Sequence, residues 1–293
     1  MPSPPPALIP AEGISRRNYG RNHSYKIDGL KVPGVTTITG HFKSGALVEY
    51  PGKQVANYAV DNWGTPPAPG HPADPDDPGS PGSGLSALPP AARLKELLAS
   101  RWADRDAAAG RGSLVHAIAR RLHEGETEVP YPEELAGHVE ACVDFLDRLE
   151  PKIVAAELIL GNRTVRYCGT LDLIADLGPI PWDGTIIPPA RWLLDLKTGR
   201  SGIWPETAMQ LAGYEHAEVF LGEDGAERPM EWLEIERCAA VWIRGDGWDL
   251  IPVDTGPDTW AYFQYLAWLY HQEEARKEWV GVAAGPWPTQ GGN

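Results

Sequence analysis

Cysteine is scarce in this chain: Cys142, Cys168 and Cys238 are the only three among 293 residues. They form neither a CxxC pair nor an even framework, which excludes a disulfide-stapled scaffold and predicts buried, reduced thiols. No apolar run approaches the roughly 20 residues that cross a bilayer, so no membrane segment is expected. The opening Met1-Pro-Ser-Pro-Pro-Pro6 lacks the charged and apolar regions of a signal peptide, and a cytoplasmic location is expected. Positive charge is short as well. The chain has 26 Lys and Arg against 40 Asp and Glu, a net charge of −14 that argues against a generic nucleic-acid coat protein. A phosphate-cradling GxxxxGK[ST] loop is missing, so any nucleotide-driven motor must be a separate partner.

What is present is the composition of a globular protein, 42% apolar with 12 tryptophans, and long enough for a substantial core. Its charge is uneven. Residues 1–60 hold seven Lys and Arg against three acids, and Arg101, Arg105, Arg111, Arg120 and Arg121 follow. Residues 215–293 carry fifteen acids against five bases. A polyanion could approach the N-terminal half, although a solvated acidic surface with no partner explains the C-terminal half equally well.

Composition divides the chain into a lead and hairpin-plus-helix segment at 1–63, a Pro/Gly/Asp-rich flexible loop at 64–90, a regular core at 91–280 and a tail at 281–293. Within the first segment, 1–13 reads as disordered, Tyr25 to Val32 as a short hairpin turning at Asp28-Gly29, and 46–63 as a helix. The core pattern predicts helices at 91–108, 112–124 and 132–149 and strands near 153–160, 164–168, 169–177 and 191–197. A helix at 205–221, a hairpin through 239–243 and 248–253, and an aromatic-rich helix at 257–279 complete it. The fold class expected is α/β (α+β), a central mixed sheet flanked by helices.

Two of these strands carry charge where a buried strand avoids it. In Arg191-Trp-Leu-Leu-Asp-Leu-Lys197, alternation puts Leu193, Asp195 and Lys197 on one face. In Gly169-Thr-Leu-Asp-Leu-Ile-Ala-Asp176, it puts Thr170, Asp172, Ile174 and Asp176 on a face opposite Leu171, Leu173 and Ala175. Desolvating a carboxylate is costly unless a cation or donors compensate. Two acids and a lysine on neighbouring strands suit a hard divalent ion, Mg²⁺ or Mn²⁺, held by Asp172, Asp195 and the Leu196 carbonyl, with Lys197 orienting a water. An isolated Asp-x-Lys fits a plain ion pair at a strand end just as well.

Three further signals stand near this pair. Gln210 and Tyr214 are four apart on one helix face. His116 lies off the apolar stripe of Val115, Ile118, Ala119 and Leu122, on the side of Arg120 and His123. Glu157 is the only charge in Ile153–Leu160, and needs either a ligand role or a salt bridge to Arg163 or Arg166.

The order of these residues is more specific than any one of them. His116 in Gly-Ser-Leu-Val-His, Asp172 in Gly-Thr-Leu-Asp, Asp195-Leu-Lys197, then Gln210 and Tyr214 together resemble the PD-(D/E)XK nuclease superfamily. The closer resemblance is to its RecB-like branch, which combines a helical His, a strand Asp, a (D/E)xK strand and a QxxxY helix. Gly-Thr-Leu-Asp-Leu-Ile and Leu-Leu-Asp-Leu-Lys-Thr-Gly look like the versions in bacteriophage recombination exonucleases, over about residues 105–255. No proline precedes Asp172, and Asp195 stands where many members have Glu. The resemblance implies a restriction-endonuclease-like core and a Mg²⁺- or Mn²⁺-dependent DNA exonuclease in recombination or repair. It implies His116, Asp172, Asp195 and the Leu196 carbonyl as metal ligands, and Asp172, Asp195, Lys197, Gln210 and Tyr214 as the catalytic set. Glu157 would support the metal, and Arg111, Arg120, Arg121 and Arg200 would grip DNA. DNA is the partner implied, with a single-strand annealing protein or recombinase beside it, in the cytoplasm of a bacterial host if the chain is phage-encoded. The CRISPR-associated relatives hold an iron–sulfur cluster on four cysteines; three scattered ones predict no cluster here. A non-cleaving DNA-end-binding partner and a structure-specific endonuclease are the alternative readings.

Overall fold

A computed structural model describes residues 13–19, 22–41, 45–63, 84–126, 129–199, 202–276 and 279–281. Most of the expected disordered lead (1–12 of 1–13), most of the flexible loop (64–83), most of the tail (282–293) and Arg200 lie outside the described residues.

A seven-stranded mixed sheet forms the centre. Its order is β10 (Glu227–Pro229), β9 (Val219–Leu221), β4 (Lys152–Asn162), β5 (Tyr167–Leu177), β8 (Ala190–Lys197), β11 (Arg237–Arg244) and β12 (Gly247–Val253). Only β8 and β11 run parallel; every other neighbouring pair is antiparallel. The parallel step needs a crossover, which α5 (Pro205–Glu215) and the short β9–β10 hairpin supply.

Both faces of the sheet are covered. On one, α3 (Pro90–His123) and α4 (Ala136–Leu149) bury Val115, Ile118, Cys142 and Phe145 against Leu173, Trp192 and Leu194. On the other, α1 (Val35–Thr39), α5 and α6 (Pro257–Arg276) bury Val35, Leu211 and Phe263 against Ile174 and Leu193. A small sheet of β1 (Ile14–Tyr19), β2 (Asn22–Ile27) and β3 (Leu30–Val32) packs Ile14, Tyr25 and Ile27 around Cys168. α2 (Gly45–Asn62) lies against α3, and β6 (Ile180–Trp182) with β7 (Thr185–Ile187) forms a separate hairpin. All three cysteines are free, buried thiols.

Several boundaries differ from the sequence reading. The helices expected at 91–108 and 112–124 are one, because the glycines between them do not break it. A helical Gly costs only about 1 kcal/mol against Ala, and at Gly112 a Cβ would crowd Thr198 Oγ1 at 3.2 Å. The strand expected at 164–168 is a turn as far as Arg166, and its last two residues open β5. Asn162 Oδ1 accepts from the Val165 amide at 2.7 Å, Arg166 takes φ 65°, and β5 starts at Tyr167. The helix expected to reach 221 ends at Glu215, because Val219–Leu221 pairs with the edge of β4. The last helix is described as far as Arg276, and residues 277 and 278 of its expected extent lie outside the described residues. Residues 84–87, expected inside the flexible loop, form a 3-10 turn on buried Leu85, tied down by Arg93 donating to the Leu85, Ser86 and Leu88 carbonyls.

Candidate functional site

The registers of three adjacent strands put three acids in one row. Leu158 opposes Leu171 and Ala156 opposes Leu173, so Glu157 falls beside Asp172; Leu173 opposes Leu194, so Asp172 falls beside Asp195. Strict alternation is interrupted here. Leu171 packs in the same cluster as Ile174 instead of joining Leu173, so the expected single face of Thr170, Asp172 and Ile174 does not hold. The neighbouring strand is irregular as well: its register shifts between Ile153 and Ala155, and Glu157 takes φ 52°.

The row opens into a cleft of about 730 Å³. His116 reaches in from α3, Glu157 and Asp172 from the sheet, Asp195 and Lys197 from the end of β8, and Gln210 and Tyr214 from α5. His116 Nε2 lies 3.0 Å from the Leu196 carbonyl, and its Nδ1 is 3.5 Å from Asp172 Oδ1. The Leu196 amide donates to Asp172 Oδ2 at 2.8 Å. Asp195 is buried and ion-paired with Lys197. Gln210 ties the group together: Nε2 donates to Asp195 Oδ1 at 2.8 Å and to Tyr214 Oη at 3.1 Å, while Oε1 accepts from Lys197 Nζ at 3.1 Å. Tyr214 can lie this close because Gly169 beneath it has no side chain; a Cβ there would meet the ring at 2.7 Å.

Burial and neighbouring charge set the protonation states. Burial opposes the charge on His116, but the Asp172 carboxylate outweighs it and raises the imidazole to about 9. Burial also works against an ionised Asp172, yet His116, Lys197 and the Leu196 amide hold it below the usual carboxylate range. Asp195 is pushed up by burial in spite of Lys197. Glu157 is raised by desolvation and by the charge on Asp172.

A ligand atom from each of His116, Glu157 and Asp172 lies within 4.8 Å of the other two, a spacing that could hold a metal ion. This set differs from the sequence-based one. Asp195 falls outside it, engaged by Lys197 and Gln210, while Glu157 falls inside it. The salt bridge offered as the alternative for Glu157 is not formed, because Arg163 pairs with Asp28 and Glu227 instead.

Of the arginines singled out for DNA, Arg120 lines the cleft, whereas Arg111 and Arg121 do not; Arg121 is held by Glu126 at 2.5 Å. Sequence reasoning missed the contribution of the N-terminal sheet. Arg16 Nη1 donates to Thr170 Oγ1 at 3.1 Å, Tyr25 Oη hydrogen-bonds the same hydroxyl at 2.9 Å, and His23 lies alongside. Thr170, two residues before Asp172, was the available signal; nothing local marked Arg16 as its partner 154 residues away.

No protein-family model matches the chain, and no curated protein matches it. A solved structure described as "Crystal structure of SSO0001" matches over 60% of this chain and 71% of that one, at 14% identity and a TM-score of 0.25. So distant a likeness leaves the site to be read from its own geometry. Among the described residues, no helix is long and apolar enough to cross a membrane.

Proposed function

We propose that the chain is a metal-dependent DNA exonuclease of the PD-(D/E)XK, RecB-like kind. The observation that carries the reading is the row Glu157, Asp172 and Asp195 across three strands, flanked by His116 and closed by the Asp195–Lys197–Gln210 network.

The residues fit a divalent ion. Glu157 and Asp172 face each other with no lysine or arginine ion-paired to either among the described residues, the His116 imidazole beside them and Lys197 acting on Asp172 without an ion pair. Carboxylates joined by one histidine suit Mg²⁺ or Mn²⁺. His116, Glu157 and Asp172 would hold the ion, with the Leu196 carbonyl beside them. Bound there, a divalent ion supplies positive charge for a phosphodiester oxygen and acidifies a water.

The chain's own residues do the rest. Lys197 Nζ, fixed between Asp195 and Gln210, can hold the attacking water or meet the charge that grows on phosphorus. Asp195 and Gln210 position that ammonium, and Tyr214 steadies Gln210. Arg16 and Arg120 on the cleft wall place cations where a nucleic-acid backbone would pass, although the whole chain is acidic. A single-strand annealing protein or recombinase would receive the processed DNA.

The test is digestion of singly end-labelled linear DNA, single- and double-stranded, with Mg²⁺, with Mn²⁺ and with EDTA. Stepwise release of nucleotides that EDTA abolishes and added metal restores is expected. Binding of DNA ends without cleavage under any metal would replace the exonuclease by an end-binding module, and equal cutting of closed circles would make it an endonuclease.

A further inference from the structure

Three Lys and Arg side chains line the cleft: Arg16, Arg120 and Lys197. Lys197 is ion-paired with Asp195, and Arg120 with Glu124 at 3.8 Å. Arg16 alone of the three has no acid within ion-pair distance among the described residues; Glu157 feels its charge from farther off. Its side chain is half-buried all the same. Nη1 donates to Thr170 Oγ1 at 3.1 Å, while Nε is shut off from solvent without a hydrogen-bond partner. A partly desolvated guanidinium with no counter-charge is costly, and the protein offers it only a neutral hydroxyl. That hydroxyl is itself fixed. Tyr25, buried, hydrogen-bonds Thr170 Oγ1 at 2.9 Å, and the His23 ring packs edge-on against Tyr25 at 5.0 Å. The guanidinium is thus held still on the cleft wall with donors to spare, and its planar fork is suited to two oxygens of one phosphate.

The place of this arginine suits a second phosphate. Thr170, which anchors it, and Asp172 are two residues apart on β5, roughly 6–7 Å at the rise of a strand, and both line the cleft. Neighbouring phosphates of a nucleic-acid strand are separated by a similar step. We infer that Arg16 binds the phosphate one nucleotide away from the one being cut, and so sets where the strand lies in the cleft. The inference rests on reading the cleft as a nuclease site. Arg16 is a binding residue and takes no part in the chemical step, so its loss should raise KM and leave kcat close to the parent value. A single-stranded end fits this role better than an intact duplex, because the Arg16 and Asp172 positions lie along one strand of the protein and track one backbone.

The test uses short single strands in which one phosphate at a time is made uncharged, as a methylphosphonate linkage or by leaving off a terminal phosphate. Binding is measured in EDTA and cleavage with Mg²⁺. For the parent chain, neutralising one phosphate next to the cut should weaken binding by about tenfold or more, and neutralising those farther along should weaken it much less. Arg16→Met should bind the fully charged strand about as weakly as the parent binds the neutralised one, and should be indifferent to charge at that position, the coupling a double-mutant cycle detects. A purely structural role for Arg16 would not tie the loss to one phosphate of the substrate, and the scan on the parent stands whether or not the variant folds. A parent indifferent to every phosphate except the one cut, or an Arg16→Met chain that keeps the parent's pattern, would overturn the subsite. Cleavage of fully charged DNA in either case would leave the nuclease reading standing, whereas a parent that neither binds nor cuts DNA would remove both.

Discussion

Asp195 has the most demanding position of any residue in the cleft. It is 1% exposed, its charge is balanced by Lys197, and Gln210 satisfies one of its oxygens. Replacing Lys197 by Met leaves a buried carboxylate without its cation, a loss that elsewhere costs about 3–5 kcal/mol when both partners are dry and less where, as here, the lysine is partly exposed. The sign of the pH dependence follows from burial, which raises Asp195 in the folded state. A group so raised is tolerated while protonated, and the stability is lost as pH climbs through the folded value. The melting deficit of Lys197→Met against the parent should therefore be larger near about pH 8 than near about pH 5; an equal deficit at both would mean that Asp195 does not change its charge between them. Gly169 allows a second test at this scale. An alanine Cβ would lie 2.7 Å from the Tyr214 ring and 3.1 Å from Val35 Cγ2. Gly169→Ala is expected to cost about 1–3 kcal/mol in urea denaturation and to lower cleavage beyond what the stability loss explains; unaltered cleavage would show that the Tyr214 seat does not matter.

Among the elements, the N-terminal sheet has the most consequential attachment. Arg163, in the turn between β4 and β5, bridges Asp28 of that sheet at 3.1 Å and Glu227 of β10 at 2.9 Å. Arg163→Ala should speed amide exchange across 14–32 while β8 stays protected, and uniform exchange throughout the chain would contradict a local tie. Acid should act in the same direction. Arg163 holds the Asp28 carboxyl below its usual range, so this contribution is present above the unfolded value near about 4 and fades as pH falls below it. The elements a sequence reading recovers best are those whose pattern repeats: the Val115, Ile118 and Leu122 stripe of α3 and the apolar runs of β4, β5 and β8. Three-residue strands such as β6, β7, β9 and β10 have no period to detect, and β1 is polar enough to pass for loop. The site divides in the same way. His116, Asp172, Asp195, Lys197, Gln210 and Tyr214 were readable because each stands out against its own element. Arg16 was not, because its meaning comes from Thr170 across the fold. The place of Glu157 beside His116 and Asp172 follows from the pairing of β4 with β5 and a left-handed backbone at that residue, neither of which a side-chain pattern announces.

Over the whole molecule, charge and shape divide the labour. The acidic C-terminal third lies in sequence beyond the β8 and α5 residues of the cleft, while Arg16 and Arg120 stand on the cleft wall. DNA binding should therefore be shallow in its salt dependence. Few phosphates are neutralised, so the slope of log affinity against log salt is expected near about −2 to −4 instead of the −10 of a heavily basic binder; a steeper slope would place the DNA path on residues outside the cleft. If the Asp195–Lys197 pair serves phosphodiester hydrolysis and not merely folding, Lys197→Ala and the parent chain should part on end-labelled linear DNA, compared in cleavage with Mg²⁺ and in binding with EDTA. Cleavage is expected to fall by roughly 100-fold or more with DNA binding within a few-fold of the parent, whereas cleavage at the parental rate would leave the pair a structural role alone.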